Sequence, residues 1–287
     1  MFIFKSAVLL HSELTRLQKN GRSIGFVPTM GALHQGHLSL LERAKAENDT
    51  VVCSIFVNPK QFDDEMDLVN YPDPIQTDIE YLRELNLDYL FHPDVDQVYG
   101  PDYVDIDVPL NGLDLVFEGE QRPGHFQGVA KVIRRFFDIV QPTRAYFGQK
   151  DFQQTVVVRH LIQHFGLNTD LVVCPIVREH HGLAMSSRNE RLEASKRERA
   201  SFIYKSLLKL KERCYFKSLG EALEITTNYL QSIEDANLEY LVCVNGVTMQ
   251  EVKSLDDADY IVACTVVEFG GVRLLDNIVL KDNLNNP

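Results

Sequence analysis

Up to about residue 187 this chain alternates short apolar runs with segments of helical period, and that alternation leaves few architectures open. Candidate strands fall at 23–28, 50–57, 88–92, 144–147 and 170–174. Val51, Val52, Ile55, Phe56 and Val57 form a nearly continuous apolar stretch, the mark of a central parallel strand covered on both faces. Between strands, Val129, Val132, Ile133, Phe136 and Val140 recur at i, i+3, i+4, i+7 and i+11, one face of a helix. The segment 152–165 repeats the pattern with Val158, Leu161, Ile162 and Phe165. Strands alternating with helices at this spacing predict an α/β fold built on a doubly wound parallel sheet. The strict alternation from Tyr103 to Val108 predicts an exposed excursion strand instead.

Beyond residue 188 the pattern changes. Ser195 followed by Glu198 reads as a capping box, with Ala200, Ile203, Leu207, Leu210 and Cys214 striping the helix after it. A second helix at about 219–232 precedes strand-like runs at 238–244, 260–267 and 272–275. Helices followed by strands predict a smaller α+β C-terminal domain, so the expected division is 1–188 and 189–287.

A net charge of −12 argues against a nucleic-acid partner, which calls for a basic face. It leaves room for an anionic substrate in a locally basic site. The basic run at 189–217 reads as a solvated helix face. Cys53, Cys174, Cys214, Cys243 and Cys264 are scattered, odd in number and form no C-x-x-C, which fits buried thiols in a reducing cytoplasm. Met1 to Ser6 has no charged leader before an apolar core, and no apolar run approaches about 18 residues, so neither secretion nor membrane association is expected.

The densest chemistry follows the first candidate strand of the alternating region. Met30, Gly31, Ala32, Leu33, His34, Gln35, Gly36 and His37 link the apolar run at 24–27 to a helix continuing through Leu38, Leu40, Leu41 and Ala44. A helix start carries N–H groups and partial positive charge, which suits phosphate. His34 and His37, three apart, fall on one side of its first turn. This is the H-x-G-H pattern of nucleotidyl-transferring enzymes, whose histidines hydrogen-bond ATP phosphates while pyrophosphate leaves.

Further polar clusters follow other strands, where a doubly wound sheet binds its ligands. Asn58 to Phe62 offers neutral amides. Gly148, Gln149, Lys150 and Asp151 open a helix, with Lys150 as a point charge and Gln153 and Gln154 in the first turn. Met185, Ser186, Ser187 and Arg188 bring two hydroxyls and a guanidinium to a loop after Gly182, and together with an H-x-G-H they mirror the two signature loops of class I aminoacyl-tRNA synthetases. Phe117 to Gly128 is rich in polar groups, with Arg122 suited to a carboxylate or phosphate. Glu179, His180 and His181 lack the ligand spacing of a zinc site.

Together these segments resemble the pantothenate synthetase (pantoate–β-alanine ligase) family. The stretches are PTMGALHQGHLSL (28–40), SIFVNPKQF (54–62), EGEQRPGHFQGV (118–129), FGQKDFQQ (147–154), VREHHGLAMSSRN (177–189) and RLLDN (273–277), in the family's order and spacing. The resemblance implies a Rossmann-like N-terminal domain, a cytoplasmic homodimer, and ATP-dependent joining of pantoate to β-alanine through pantoyl adenylate, giving pantothenate, AMP and pyrophosphate. It implies that Met30 to His37, Gly148 to Asp151, Val177 and Met185 to Arg188 hold ATP, with His34 and His37 on phosphates and His37 as a proton donor. Gln61 and Gln154 would hold pantoate, Gln61 also lying near β-alanine, and Asp78 would be an outer ligand of a magnesium ion on the phosphates. Asp73-Pro74 replaces the family's usual Arg-Thr, and Asp63-Asp64-Glu65-Met66 lacks its usual glycine or asparagine; both departures lie at the rim.

Two other readings share these motifs. A transferase acting on a phosphorylated acceptor needs additional basic residues, which the uncharged Gln61 and Gln154 do not supply. A non-catalytic nucleotide sensor has no use for His37, Lys150 and Arg188 together.

Overall fold

The computed structural model describes residues 1–62, 65–101 and 103–284; Asp63 and Asp64 of the rim departure lie outside them. The chain separates into two compact units, Met1–Gly148 with Val157–Cys174, and Gln149–Val156 with Pro175–Pro287. This differs from a single boundary near Arg188: residues 149–156 and 175–188 group with the C-terminal unit.

The first unit holds six parallel strands, β1 (Phe2–Phe4), β2 (Ile24–Thr29), β3 (Thr50–Ile55), β4 (Tyr89–Phe91), β5 (Arg144–Gly148) and β6 (Asp170–Cys174). Their order is β1-β4-β3-β2-β5-β6, so the winding reverses between β2 and β5. The helices between them are α1 (Ala7–Lys19), α2 (Gln35–Glu47), α3 (Glu65–Val69), α4 (Ile75–Glu84), α5 (Val95–Val98), α6 (Glu118–Gln121) and α7 (His125–Val140), followed by α8 (Phe152–His164), which runs through both units. The strands expected at 23–28, 50–57, 88–92, 144–147 and 170–174 are present. The edge strand β1, three residues long, is too short to show a period.

Alternation across the sheet divides its core. Val27, Val51, Cys53, Ile55 and Leu90 pack with Leu40, Leu41 and Ala44 of α2 and Leu82 of α4. Phe26 faces the other way, where the Phe136 ring of α7 lies 5.8–5.9 Å from Phe26, Phe56 and Phe91, edge to face with each. The predicted face of α7 is buried throughout, with Val129, Val132, Ile133, Phe136 and Val140 each at most 5% exposed. Cys53, Cys174, Cys243 and Cys264 are buried and unpaired, and burial pushes the Cys53 thiol up to about 12, far from a reactive thiolate.

Residues 103–108 correct an expectation, because they form no strand. Among the described residues no strand pairs with them. The Gln127 amide bonds both the N–H and the C=O of Val108, while Lys131 holds Asp105 and Asp107 at 2.8 Å each. The two lysines on Asp105, Lys131 and Lys60, hold its carboxyl down at about 2. The alternation therefore records acidic side chains aimed at lysines.

The second unit packs α9 (Ala194–Arg199), α10 (Phe202–Arg213) and α11 (Leu219–Gln231) with an antiparallel sheet of β7 (Ala236–Asn245), β8 (Tyr260–Phe269) and β9 (Val272–Asp282), in that order. One sheet face meets the helices, Val272 and Leu274 with Phe202, Ile203 and Leu230, and Ile261 and Ala263 with Leu207 and Leu210. The expected Ser195–Glu198 capping box is not formed. The Arg197 N–H already bonds the Glu193 carbonyl at 2.8 Å, which closes a turn ahead of Ser195 and places that residue inside α9. The box that does form is Ser218 with Glu221, at the start of α11.

Candidate active site

In the first unit, α2 begins at the carboxyl end of β2, beside the reversal in strand order where open α/β sheets bind ligands. His34 is its N-cap and His37 its third residue. Nδ1 of His34 accepts the Gly36 N–H at 3.1 Å, and Nδ1 of His37 accepts the His34 N–H at 3.3 Å. The rings stack with centroids 4.0 Å apart. The two imidazoles thus form the capping box that Ser and Glu ordinarily make. A ring accepting at Nδ1 carries its neutral-state proton on Nε2, so both rings are fixed as Nε2–H donors. The His34 and Gly36 N–H groups serve this cap, so imidazole nitrogens join backbone amides as the donors that this terminus can offer an anion.

The turn between β2 and α2 is braced from beneath. Gly31 N–H bonds the Thr29 hydroxyl at 3.2 Å, and Leu33 N–H bonds Oδ1 of Asp78 at 2.8 Å. Gly31 sits at φ +85°, and a Cβ there would lie 3.1 Å from Oδ2 of Asp78. Asp78 is 1% exposed; burial pushes its carboxyl up, and the Leu33 and Ala32 N–H groups pull it back. Its Oδ2 is buried without a hydrogen-bond partner. Asp78 therefore supports the loop directly, and one oxygen remains that can take a cation's water shell. Among the described residues no group of three or more His, Cys, Asp or Glu side chains is placed to hold a metal.

Gln61, 9% exposed, follows β3 in the same unit, and its amide has a determined direction. The Tyr99 hydroxyl donates to Oδ1 of Asn58 at 2.8 Å; Nδ2 of Asn58 donates to Oε1 of Gln61 and to the Gly128 carbonyl, each at 3.1 Å. Nε2 of Gln61 is left as the donating end, directed at the Met30 sulfur. Nδ1 of His125 donates to the Gln61 carbonyl at 2.7 Å, while its Nε2 accepts Nη1 of Arg122 at 3.3 Å. Arg122, expected as an anion ligand, thus supports the Gln61 backbone and also lies 3.9 Å from Glu118. Gly128 is required where α7 crosses this turn, since a Cβ would fall 2.1 Å from the Lys60 carbonyl oxygen. Tyr99, Asn58 and His125 are contributors that local spacing did not single out for this purpose.

The second unit carries the remaining expected residues. Gln149, Lys150 and Asp151 form a short 3-10 turn ahead of α8, with Nζ of Lys150 3.1 Å from Oδ1 of Asp151. Gln153 is buried and Gln154 half-buried on the first turn of the helix. The Val177 carbonyl accepts the Met185 N–H at 3.0 Å, and Arg178 bridges to Ala184. Ser186 caps a 3-10 turn over Ser187–Arg191, its hydroxyl oxygen accepting the Arg188 N–H at 3.3 Å. The buried Asn189 donates to Glu179 at 2.7 Å and to the Ala184 carbonyl at 3.0 Å. Burial works against the Glu179 charge, yet Arg197 and Asn189 overcome it and hold its carboxyl below the usual range. Glu179 is therefore a brace for the 185–188 loop, and His181 lies against it at 3.7 Å. Met30, His34, His37, Gln61 and Asp78 belong to one unit, and Lys150, Gln154, Val177 and Arg188 to the other.

Comparison with known proteins agrees along the whole chain. The sequence profile described as pantoate–β-alanine ligase matches residues 3–279. A pantothenate synthetase of Phocaeicola vulgatus is 45% identical over 273 residues, spanning 95% of this chain and 96% of that protein. That of Bacteroides thetaiotaomicron is 42% identical, with the same coverage. The crystal structure of the Thermus thermophilus pantothenate synthetase superposes with a TM-score of 0.89 at 38% identity, covering 98% of this chain and all of that one. A pantoate–β-alanine ligase from Francisella tularensis, solved with β-γ ATP and β-alanine, gives 0.78 at 36% identity, covering 98% of both. The chain belongs to the pantoate–β-alanine ligase family.

Proposed function

We propose that this protein condenses pantoate with β-alanine at the expense of ATP, giving pantothenate, AMP and pyrophosphate through a pantoyl adenylate. The observation that carries the proposal is the double-imidazole cap of α2, which fixes two Nε2–H donors in the unit that also holds an oriented Gln61 amide. ATP is assigned to Met30 to His37, Gly148 to Asp151, Val177 and Met185 to Arg188. Pantoate is assigned to Gln61 and Gln154, with β-alanine near Gln61.

In the first step a pantoate carboxylate oxygen bonds the α-phosphorus as the bond to the bridging oxygen breaks, and that oxygen leaves with pyrophosphate. An anion attacks an anionic centre, so the protein's share is positioning and screening of charge. His34 and His37 donate from Nε2. A second proton on Nδ1 of His37 would face the His34 N–H and break the cap, which favours phosphate binding over proton donation for this residue. Lys150 and Arg188 supply cationic charge to the phosphates. Nε2 of Gln61 donates to the substrate acid, and a neutral amide suits an acceptor with hydroxyls and no phosphate. Magnesium bound to the phosphates would screen their charge, with Oδ2 of Asp78 toward its water shell. In the second step the β-alanine amine attacks the acyl carbon, AMP leaves, and the new amide nitrogen loses a proton.

No helix among the described residues is long and apolar enough to cross a membrane. The family resemblance supports a cytoplasmic homodimer; sedimentation giving a dimer at micromolar concentration would agree, and a monomer would contradict it. Product analysis tests the reaction: ATP, pantoate and β-alanine should yield pantothenate, AMP and pyrophosphate in equal amounts. Release of ADP and phosphate would overturn the reading.

A further inference from the structure

RLLDN (273–277) has no part in the chemistry above, yet its last two residues are among the most buried polar groups of the second unit, Asp276 at 4% and Asn277 at 2% exposure. They are consecutive on β9 in regular register, Asp276 opposite Thr265 and Asn277 opposite Cys264, so their side chains leave the strand on opposite faces. Each face meets a different loop.

Nδ2 of Asn277 donates to two successive carbonyls, Gln149 at 2.9 Å and Lys150 at 3.0 Å, and its Oδ1 accepts Nε2 of Gln149 at 3.0 Å. Only a primary amide of this length supplies two donors and an acceptor here. In a trans peptide C=O and N–H point in opposite directions, so holding these two carbonyls also aims the N–H groups of Lys150 and Asp151 away from the strand. Asp276 takes the Arg178 guanidinium in a two-pronged pair, at 2.7 and 2.9 Å. Arg178 lies over the Tyr204 ring at 3.5 Å and donates to the Gly182 carbonyl at 3.1 Å, so Asp276 anchors the turn that leads through Ala184 into Met185 to Arg188. The Asn277 N–H donates to Oδ1 of Asp276 at 2.7 Å and ties the two anchors together.

We propose that the Asp276–Asn277 pair is a positioning element of the ligase reaction: one strand sets both cationic loops, Lys150 through Asn277 and Arg188 through Asp276 and Arg178. The inference rests on the assignment of those loops to ATP. Neither residue is a catalytic residue; each acts through the loop it holds.

The test is a pair of double-mutant cycles read by pantoate-dependent exchange of labelled pyrophosphate into ATP. Asn277→Ala should slow exchange about 10²-fold, the scale of an ångström-level misplacement, with the KM for pantoate near that of wild type. In a Lys150→Ala background Asn277→Ala should cost little more, whereas Asp276→Asn should still exert its full effect. In an Arg188→Ala background the pattern should reverse. A purely architectural role gives the same loss in every background, and full exchange by Asn277→Ala refutes the inference outright. If Asp276→Asn does not fold, Arg178→Lys takes its arm of the cycle, keeping one charge and losing the fork. Absence of exchange by the wild-type protein overturns the functional reading, and the inference with it.

Discussion

Substituting His34 separates two functions that share one ring. Nδ1 caps α2 through Gly36, and Nε2–H is assigned to phosphate. His34→Ala removes both. Loss of an N-cap costs about 1 kcal/mol, within a range of roughly 0.5–2, and lowers the melting temperature by about 2–4 °C in a chain of this size class. His34→Asn puts Oδ1 where Nδ1 stood, and Asn is among the strongest N-caps, so folding stability should stay within a few tenths of a kcal/mol of wild type. Both variants lose the Nε2 donor. If that donor serves charge that grows in the transition state, adenylation should fall by about 10²–10³, equivalent to roughly 2.7–4 kcal/mol. Differential scanning calorimetry and single-turnover AMP formation on the same preparations measure the two quantities. Near-wild-type turnover by His34→Asn would reduce His34 to a cap and refute the phosphate assignment; equal melting temperatures for the two variants would refute the cap.

Three further outcomes follow from packing and charge. Gly128→Ala brings a Cβ within 2.1 Å of the Lys60 carbonyl oxygen and should cost about 1–3 kcal/mol of stability while raising the KM for pantoate more than that for ATP; unchanged pantoate KM would detach Gln61 from substrate. Phe136→Ala empties the contact point of three rings and should lower unfolding free energy by about 3–5 kcal/mol in a urea titration, and a loss below 1 kcal/mol would contradict the packing described. Glu179 has its carboxyl held below its ordinary 4.5, so its stabilising contribution is complete above that pH and lost as pH falls through the lowered folded value. The stability gap between wild type and Glu179→Gln should therefore close on acidification from pH 6 to pH 3, and a constant gap would show that the charge is immaterial.

The sheet was legible because its central strands are buried on both faces, and nearly continuous apolar runs such as Val51 to Ile55 have no other economical placement. The helix faces followed from period. The loops carrying His34, His37, Lys150 and Arg188 were legible as strand-end or glycine-adjacent clusters of chemistry. What stayed hidden depends on contacts between distant residues. Asn58 and Tyr99, which orient Gln61, are 41 positions apart, and Asn277 reaches Gln149 across 128. The cap that His34 makes, beside the donor role proposed for its other nitrogen, is invisible to a pattern that reads Ser-x-x-Glu as the capping signature. Local alternation misled at 103–108 because acidic side chains paired with lysines show the same period as a strand. The Ser195–Glu198 spacing misled because an i, i+3 pair occurs inside a helix as readily as at its start.

Isotope exchange in the absence of β-alanine tests the central claim most directly. With ATP, magnesium, pantoate and labelled pyrophosphate, label should enter ATP at a rate set by pantoate concentration, since the adenylate forms and reverses before any amine is present. Exchange that requires β-alanine, or that proceeds without pantoate, would contradict the account.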